Sequence, residues 1–287
     1  LNQLLGRLQE DTLNVAFVAE FSRGKSELIN AIFFSDYRQR VLPSSAGRTT
    51  MCPTELYYTP TRHPSLRLLP IDTKTREGSI ADFKRDADAW TEFPLNLDSA
   101  DEMSATLMRL ADTMQVDAAT AEAYGLINPN DYETARSLAR DGGIAVPRWR
   151  HALINFPHPL LKQGLVILDT PGLNAIGTEP ELTLNMLPSA HAVLFILAAD
   201  AGVTKSDIDV WHDHIGVRKD SPNKGRLVVL NKIDGLWDEL RDWNEVNREI
   251  DRQIRDTAKH LAIPEQNVFP VSAQKALLGK VKKDTDA

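Results

Sequence analysis

Six short, predominantly apolar runs limit what this chain can fold into. They are Leu13–Val18, Ala152–Phe156, Leu165–Leu168, Ala192–Leu197, Leu227–Leu230 and Val268–Val271, each four to six residues long. Runs of this length with no polar alternation are strands buried on both faces. Thr54–Tyr58 and Leu66–Leu69 read as two further strands. Between the runs the apolar spacing becomes helical. Leu28, Ile29 and Ile32 share one side of Lys25–Phe33, and Leu240, Trp243, Val246, Ile250, Ile254 and Leu261 form a longer stripe. The alternation predicts an α/β fold: a doubly wound, mainly parallel sheet with helices on both faces.

One stretch breaks the alternation. Asp72–Pro147 reads as a mostly helical insertion, too regular for a structureless loop. Ser99 followed by Glu102 is a capping box, after which Met103, Leu107, Leu110 and Met114 fall on one helical face and are expected in the core. Asn130 is placed to cap another helix ending near Gly142 and Gly143. Asn2–Leu8 reads as a leading helix, and the polar Tyr37–Pro53 as a loop.

Composition narrows the function classes. The 287 residues carry 33 Lys plus Arg against 40 Asp plus Glu, a net charge of −7, so bulk electrostatic binding to nucleic acid is not expected. No apolar run reaches the roughly 18 residues that span a bilayer. The single cysteine, Cys52, excludes an internal disulfide and fits a reducing compartment, so the cytoplasm is expected. Cys52 itself reads as a packed thiol. The chain opens at Leu1 rather than Met, so it is expected to be a piece of something longer.

Chemistry gathers at the ends of the apolar runs. Ala19-Glu20-Phe21-Ser22-Arg23-Gly24-Lys25-Ser26 follows the first strand and opens a helix. It matches the phosphate-binding loop pattern, with Ala19 in place of the first glycine. Backbone N–H groups in such a turn wrap phosphates, and the helix N-terminus adds partial positive charge. Lys25 is placed to reach the β- and γ-phosphates, and the Ser26 hydroxyl to bind Mg2+. Arg23 has two readings: a mobile cation that neutralises transition-state charge, or a surface arginine that solvates the loop.

Asp169-Thr170-Pro171-Gly172 ends the strand Leu165–Leu168. An acidic residue at the carboxyl end of a strand is where a doubly wound sheet binds ligands. Asp169 is expected to hold Mg2+ through water. Gly172 has no side chain to keep a phosphate from its N–H. The same four residues are also good turn chemistry, and the phosphate loop favours the site over the turn.

Asn231-Lys232-Ile233-Asp234 follows the strand Leu227–Leu230 and suits guanine. The Asp234 carboxylate can accept from both N1–H and the exocyclic amine. Asn231 can hold the opposite edge and tie loops together, while the Lys232 stem covers the base. Adenine would leave the buried carboxylate unpaired. Ser272-Ala273, after the last strand, would offer backbone N–H groups to the guanine oxygen. Trp237 either walls the pocket or packs under the final helix. His212 and His214, two apart on a helix, do not share a face and are not expected to bind metal.

Three motifs in this order, each at a strand end, resemble the P-loop GTPase superfamily. The finer likeness is to the bacterial dynamin-like GTPases. It rests on Glu20 to Ser26, Thr49-Thr50-Met51-Cys52-Pro53-Thr54, Asp169 to Leu173, and Asn231 to Trp237. It also rests on Pro159 to Leu165 and on Pro270-Val271-Ser272-Ala273. The resemblance implies a single GTPase domain over 1–287, weakest across 72–147. It implies that Thr50 closes on Mg2+ and positions water. Ser22 matches a position that binds a charge-compensating Na+ or K+. The resemblance further implies GTP and GDP as ligands, a transient homodimer across the nucleotide sites, and membrane remodelling at the inner face of the membrane through regions outside this chain.

Departures from the pattern matter. Leu173 and Phe21 stand where related GTPases carry a glutamine that orients water, and neither can do so by hydrogen bonding. Main-chain groups, the monovalent ion or a partner subunit must do it. Gln274 replaces the usual lysine after Ser-Ala, with Lys275 adjacent. Two other functions stay open: a regulatory switch acting through partner binding, and a GTP-binding scaffold without turnover.

Overall fold

The structure is a computed structural model that describes residues 12–43, 52–127, 139–140, 143–170, 187, 190–215, 225–237 and 242–282. The first half of the chain supplies β1 (Leu13–Ala19), α1 (Lys25–Phe33), β2 (Thr54–Tyr57), β3 (Ser65–Pro70), α2 (Ile80–Arg85) and β4 (Thr91–Pro94). The middle supplies α3 (Ala100–Leu107), β5 (Thr113–Val116), α4 (Ala118–Ala123), β6 (Ala139–Arg140), β7 (Gly143–Pro147) and β8 (Trp149–Asn155). The remainder supplies α5 (Pro159–Lys162), β9 (Leu165–Asp169), β10 (Ala192–Ala198), α6 (Lys205–Val210), β11 (Arg226–Asn231), α7 (Trp243–Leu261), β12 (Val268–Pro270) and α8 (Ala273–Lys282).

Among the described residues nine strands form one sheet in the order β12-β11-β10-β1-β9-β2-β8-β3-β4. From β12 to β9 every pairing is parallel, as the apolar runs require. Beyond β9 the sheet turns mixed: β2 runs antiparallel to β9 but parallel to β8, and β3 is antiparallel to both its neighbours. Alternate residues of β1 feed opposite sides. Phe17 and Ala19 pack with Leu28, Ile29 and Phe33 of α1. Ala16 and Val18 pack in a second core with Trp211, Ala258 and Leu261. This is the doubly wound arrangement.

The segment 72–147 corrects the expectation of a mostly helical insertion. It holds α2, α3 and α4, but also β4, which extends the main sheet, and a small sheet in the order β5-β7-β6. Met103, Leu107 and Leu110 are buried against the main core as expected. Met114 is not: the helix ends at Leu107, and Met114, on β5, pairs with Val146 of β7 and is 37% exposed. Pairing with a strand distant in sequence overrode the local helical spacing. The capping box at Ser99 is half formed. Ser99 accepts from the Glu102 N–H, but the Glu102 carboxylate accepts from Asn96 Nδ2 at 3.0 Å instead. On α7, Val246 and Leu261 are buried as the stripe predicts, whereas Trp243, the first helical residue, is exposed. Asn2–Leu8, Asn130 and Leu240 lie outside the described residues.

Two interior polar residues tie separate parts of the chain together. Asn30 is fully buried in α1. Its Oδ1 accepts from the N–H groups of Val41 and Leu42, and its Nδ2 donates to the Leu42 carbonyl. Glu55 on β2 accepts from Lys84 and lies 3.0 Å from His151 Nε2. Burial alone would push its carboxyl up, but His151 and Lys84 outweigh burial and bring it down to about 2.

Asn30→Ala leaves two N–H groups and a carbonyl unpaired, so it should lower stability by roughly 3 kcal/mol in urea unfolding. Glu55 sets a second expectation. A carboxyl held below its unfolded value contributes stability that is complete above about pH 4.5 and is lost as pH falls towards 2. The stability gap between the wild type and Glu55→Gln should therefore shrink across that window, by up to about 3 kcal/mol. Urea melts of both proteins at pH 6, 4 and 3 measure it, and a constant gap would refute the pairing.

Candidate functional site

Five parallel strands end on the same side of the sheet, and the motif residues sit on the turns that follow them. Ala19 closes β1, Asp169 closes β9, Ala198 closes β10, Asn231 closes β11 and Pro270 closes β12. Ligands bind at such carboxyl ends.

The phosphate loop has two residues in left-handed backbone, Ser22 at φ 66° and Gly24 at φ 86°. These bends turn the chain tightly into α1. A non-glycine residue held at positive φ is costly and concentrates at functional turns. Gly24 is constrained twice. Besides its φ, a Cβ there would lie 2.4 Å from Asn231 Nδ2. That close approach serves a bond: Asn231 Nδ2 donates to the Arg23 carbonyl at 3.0 Å. On its other side, Asn231 Oδ1 accepts from the Ala273 N–H at 3.0 Å. One buried amide thus ties the phosphate loop to the Ser272-Ala273 turn.

Asp234 receives a hydrogen bond of 2.5 Å from Ser272 Oγ, and Ser272 Oγ accepts in turn from the Lys275 N–H. Lys232 is left-handed at φ 63°, and its ammonium pairs with Asp200 at 3.2 Å. Lys275 does not enter the pocket in place of the missing lysine; its ammonium lies 5.5 Å above the Trp237 ring. Trp237 also meets Trp243 edge-on at 5.7 Å, so it packs by the helices. Between the two ends lies a cavity of about 420 Å3. Ser22, Gly24, Asn231, Lys232, Asp234, Gly235 and Gln274 line it, with Glu27, Arg40 and Asp200. The last three carry no sequence signal. Arg40 lies in a stretch read only as loop, and its pairing with Glu27 at 2.7 Å spans a turn.

Lys25 is buried and its ammonium is paired with the Asp169 carboxylate. The cation placed for phosphate and the anion placed for metal neutralise each other, which lets both stay buried. Ser26 follows on the first turn of α1. Its hydroxyl and the Asp169 carboxylate are hard oxygen donors, the set that suits Mg2+ completed by phosphate and water. Among the described residues no group of three or more His, Cys, Asp or Glu could hold a metal ion. Thr170 is fully buried and its Oγ1 donates to the Phe17 carbonyl. Thr49, Thr50, Pro171, Gly172 and Leu173 lie outside the described residues.

Two side chains near the loop depart from simple expectation. Arg23 is not a surface group: it is 8% exposed and pairs with Glu20 and Asp207. Phe21 is about half exposed at the tip of the loop. Cys52 is buried, which pushes its thiol up to about 12 and makes it inert, as a packed thiol should be.

The chain can now be set beside known proteins. The model of the dynamin family matches residues 15–233. A bacterial dynamin-like protein of Nostoc punctiforme is 23% identical over 235 residues, 82% of this chain and 26% of that protein. Mitofusin-2 of Homo sapiens is 25% identical over 283 residues, 94% of this chain and 29% of its own length. This chain therefore spans a quarter to a third of the length of these relatives. A solved bacterial dynamin pair, described as a mechanism for the long-range sensing and tethering of membranes, superposes with a TM-score of 0.54. That likeness, at 16% identity, covers 97% of this chain and 42% of the solved one, and it concerns the fold. With the family matched over most of its length, this chain belongs to the dynamin family.

Proposed function

We propose that this chain is one domain that binds GTP, hydrolyses it with Mg2+, and works as a transient homodimer paired across the nucleotide sites. The reading extends to membrane remodelling in the cytoplasm, at the inner face of the membrane, through regions outside this chain. One observation carries it. The phosphate loop and the guanine-type reader line one cavity and are tied together by the Asn231 amide. Such a cavity accepts a phosphate chain at one end and a purine at the other.

The roles follow from the chemistry. The loop from Glu20 to Ser26 wraps the phosphates with N–H groups, and Lys25 leaves Asp169 to meet the β- and γ-phosphates. Ser26 and Asp169 would hold Mg2+ together with Thr50, and the ion would neutralise phosphate charge. The Gly172 N–H meets the γ-phosphate. Asp234 reads the guanine edge, Lys232 covers the ring, and Ser272 and Ala273 face the guanine oxygen. Ser22 would hold a charge-compensating K+ or Na+. Phe21 has no group to orient water, so main-chain groups, the monovalent ion or the second copy must do so. No helix among the described residues is long and apolar enough to cross a membrane.

Hydrolysis of GTP should be measured at several protein concentrations with Mg2+ and either K+ or Na+. Activity per mole should rise with concentration, because the pair of copies is the active form. A flat profile would instead mark a switch that turns over as a monomer, and no turnover with retained GTP binding would mark a scaffold. Base selection has its own check. Asp234→Asn should shift preference from guanine towards xanthine nucleotides by about a hundredfold or more, read from competition binding. An unchanged preference would remove Asp234 from base reading.

A further inference from the structure

The phosphate loop contains a buried cation that phosphate binding by backbone N–H groups does not require. Arg23 Nη2 donates to Glu20 Oε2 and to Asp207 Oδ2, both at 2.9 Å, and lies 3.4 Å from Thr204 Oγ1. Asp207 is 0% exposed and stands 184 positions away in the chain. Its own helix fixes it before it meets Arg23. At the third position of α6 it forms a capping box with Thr204, accepting from the Thr204 N–H at 3.0 Å and hydroxyl at 2.7 Å. Its N–H donates back to Thr204 Oγ1 at 3.2 Å.

An ion pair this deep has lost most of its hydration, so neither partner leaves easily. Arg23 is thereby pinned at its tip by carboxylates and at its carbonyl by Asn231. It is also the residue between Ser22 and Gly24, the two left-handed bends of the loop. Fixing Arg23 at both ends fixes the direction in which the loop's N–H groups point. An arginine that swung onto a reacting phosphate would first have to abandon two carboxylates.

We propose that Asp207 is a positioning residue: through Arg23 it holds the phosphate loop in its nucleotide-binding shape, making α6 and the loop one unit. The proposal rests on the reading that the cavity takes GTP. It assigns Arg23 to ground-state binding rather than to transition-state charge, and the two roles separate kinetically. Loss of a ground-state contact raises KM, whereas loss of a transition-state cation lowers kcat.

The test compares the wild type with Asp207→Asn, Arg23→Gln and the double variant, using GTP turnover with Mg2+ and binding of a fluorescent GDP analogue. Each single change should raise KM and weaken GDP binding about tenfold, with kcat held within about twofold, and the double should be no worse than either. Unchanged KM in both singles, additive losses, or a kcat that falls in Arg23→Gln while KM holds would each overturn it. If Asp207→Asn does not fold, Thr204→Val takes its place. It removes the two hydrogen bonds between the Thr204 hydroxyl and Asp207, and the Arg23 contact to that hydroxyl, and should shift KM the same way by a smaller factor; an unchanged KM overturns the proposal. A wild type that binds no guanine nucleotide would overturn the reading of the cavity as well. A wild type that binds and turns over beside unaffected variants would overturn only the positioning role.

Discussion

The site depends on one side-chain amide. Asn231 donates to the Arg23 carbonyl and accepts from the Ala273 N–H, so the turns after β1, β11 and β12 are held at a fixed distance. An amide suits this position because it carries a donor and an acceptor on one planar group. A carboxylate would face the carbonyl with no donor, and a leucine would leave both backbone groups unpaired in a dry interior. Gly24 makes the approach possible by having no Cβ. The spacing of the three turns therefore rests on one residue at the end of β11, supported by the parallel sheet beneath.

Charge at the site is arranged by mutual neutralisation. Lys25 with Asp169, Arg23 with Glu20 and Asp207, and Lys232 with Asp200 all set a cation against a carboxylate at the carboxyl ends of the strands. The buried pairs do not by themselves make the fold stable, since desolvation offsets much of their attraction. Their effect is to keep charges in place that an unpaired interior would reject. Lys25 and Asp169 differ from the Arg23 pair in one respect: both face groups that a nucleotide and its metal would supply, so their pairing is exchangeable.

Much of this was legible in the sequence, for a physical reason. A strand buried on both faces must be largely apolar, so the runs Leu13–Val18, Ala192–Leu197 and Leu227–Leu230 stand out, and the polar motifs lie beyond their ends. Asn231 was expected to tie loops together and does so. What stayed hidden were single polar residues whose partners are remote. Asn155 bonds to Thr59, Arg62 and His63 more than 90 positions away, and Asp207 meets Arg23 across 184. No local pattern marks such residues, because the side chain responds to the tertiary neighbour. The strands of the insertion were missed likewise: Met114 keeps helical spacing with Leu107 and Leu110, yet a partner strand decides its conformation.

The sheet order has a consequence at its two rims. Among the described strands the open sheet has two edges, β12 and β4. A long bare edge is a template on which other chains can add strands and aggregate. Both edges are blunt: β12 is three residues ending in Pro270, and β4 is four residues ending in Pro94, with the charged Glu92 inside it. Proline offers no N–H to an incoming strand, and short charged edges give it little to zip against. Copies of this domain are thus discouraged from growing into ribbons, and association is left to surfaces other than the backbone of the sheet.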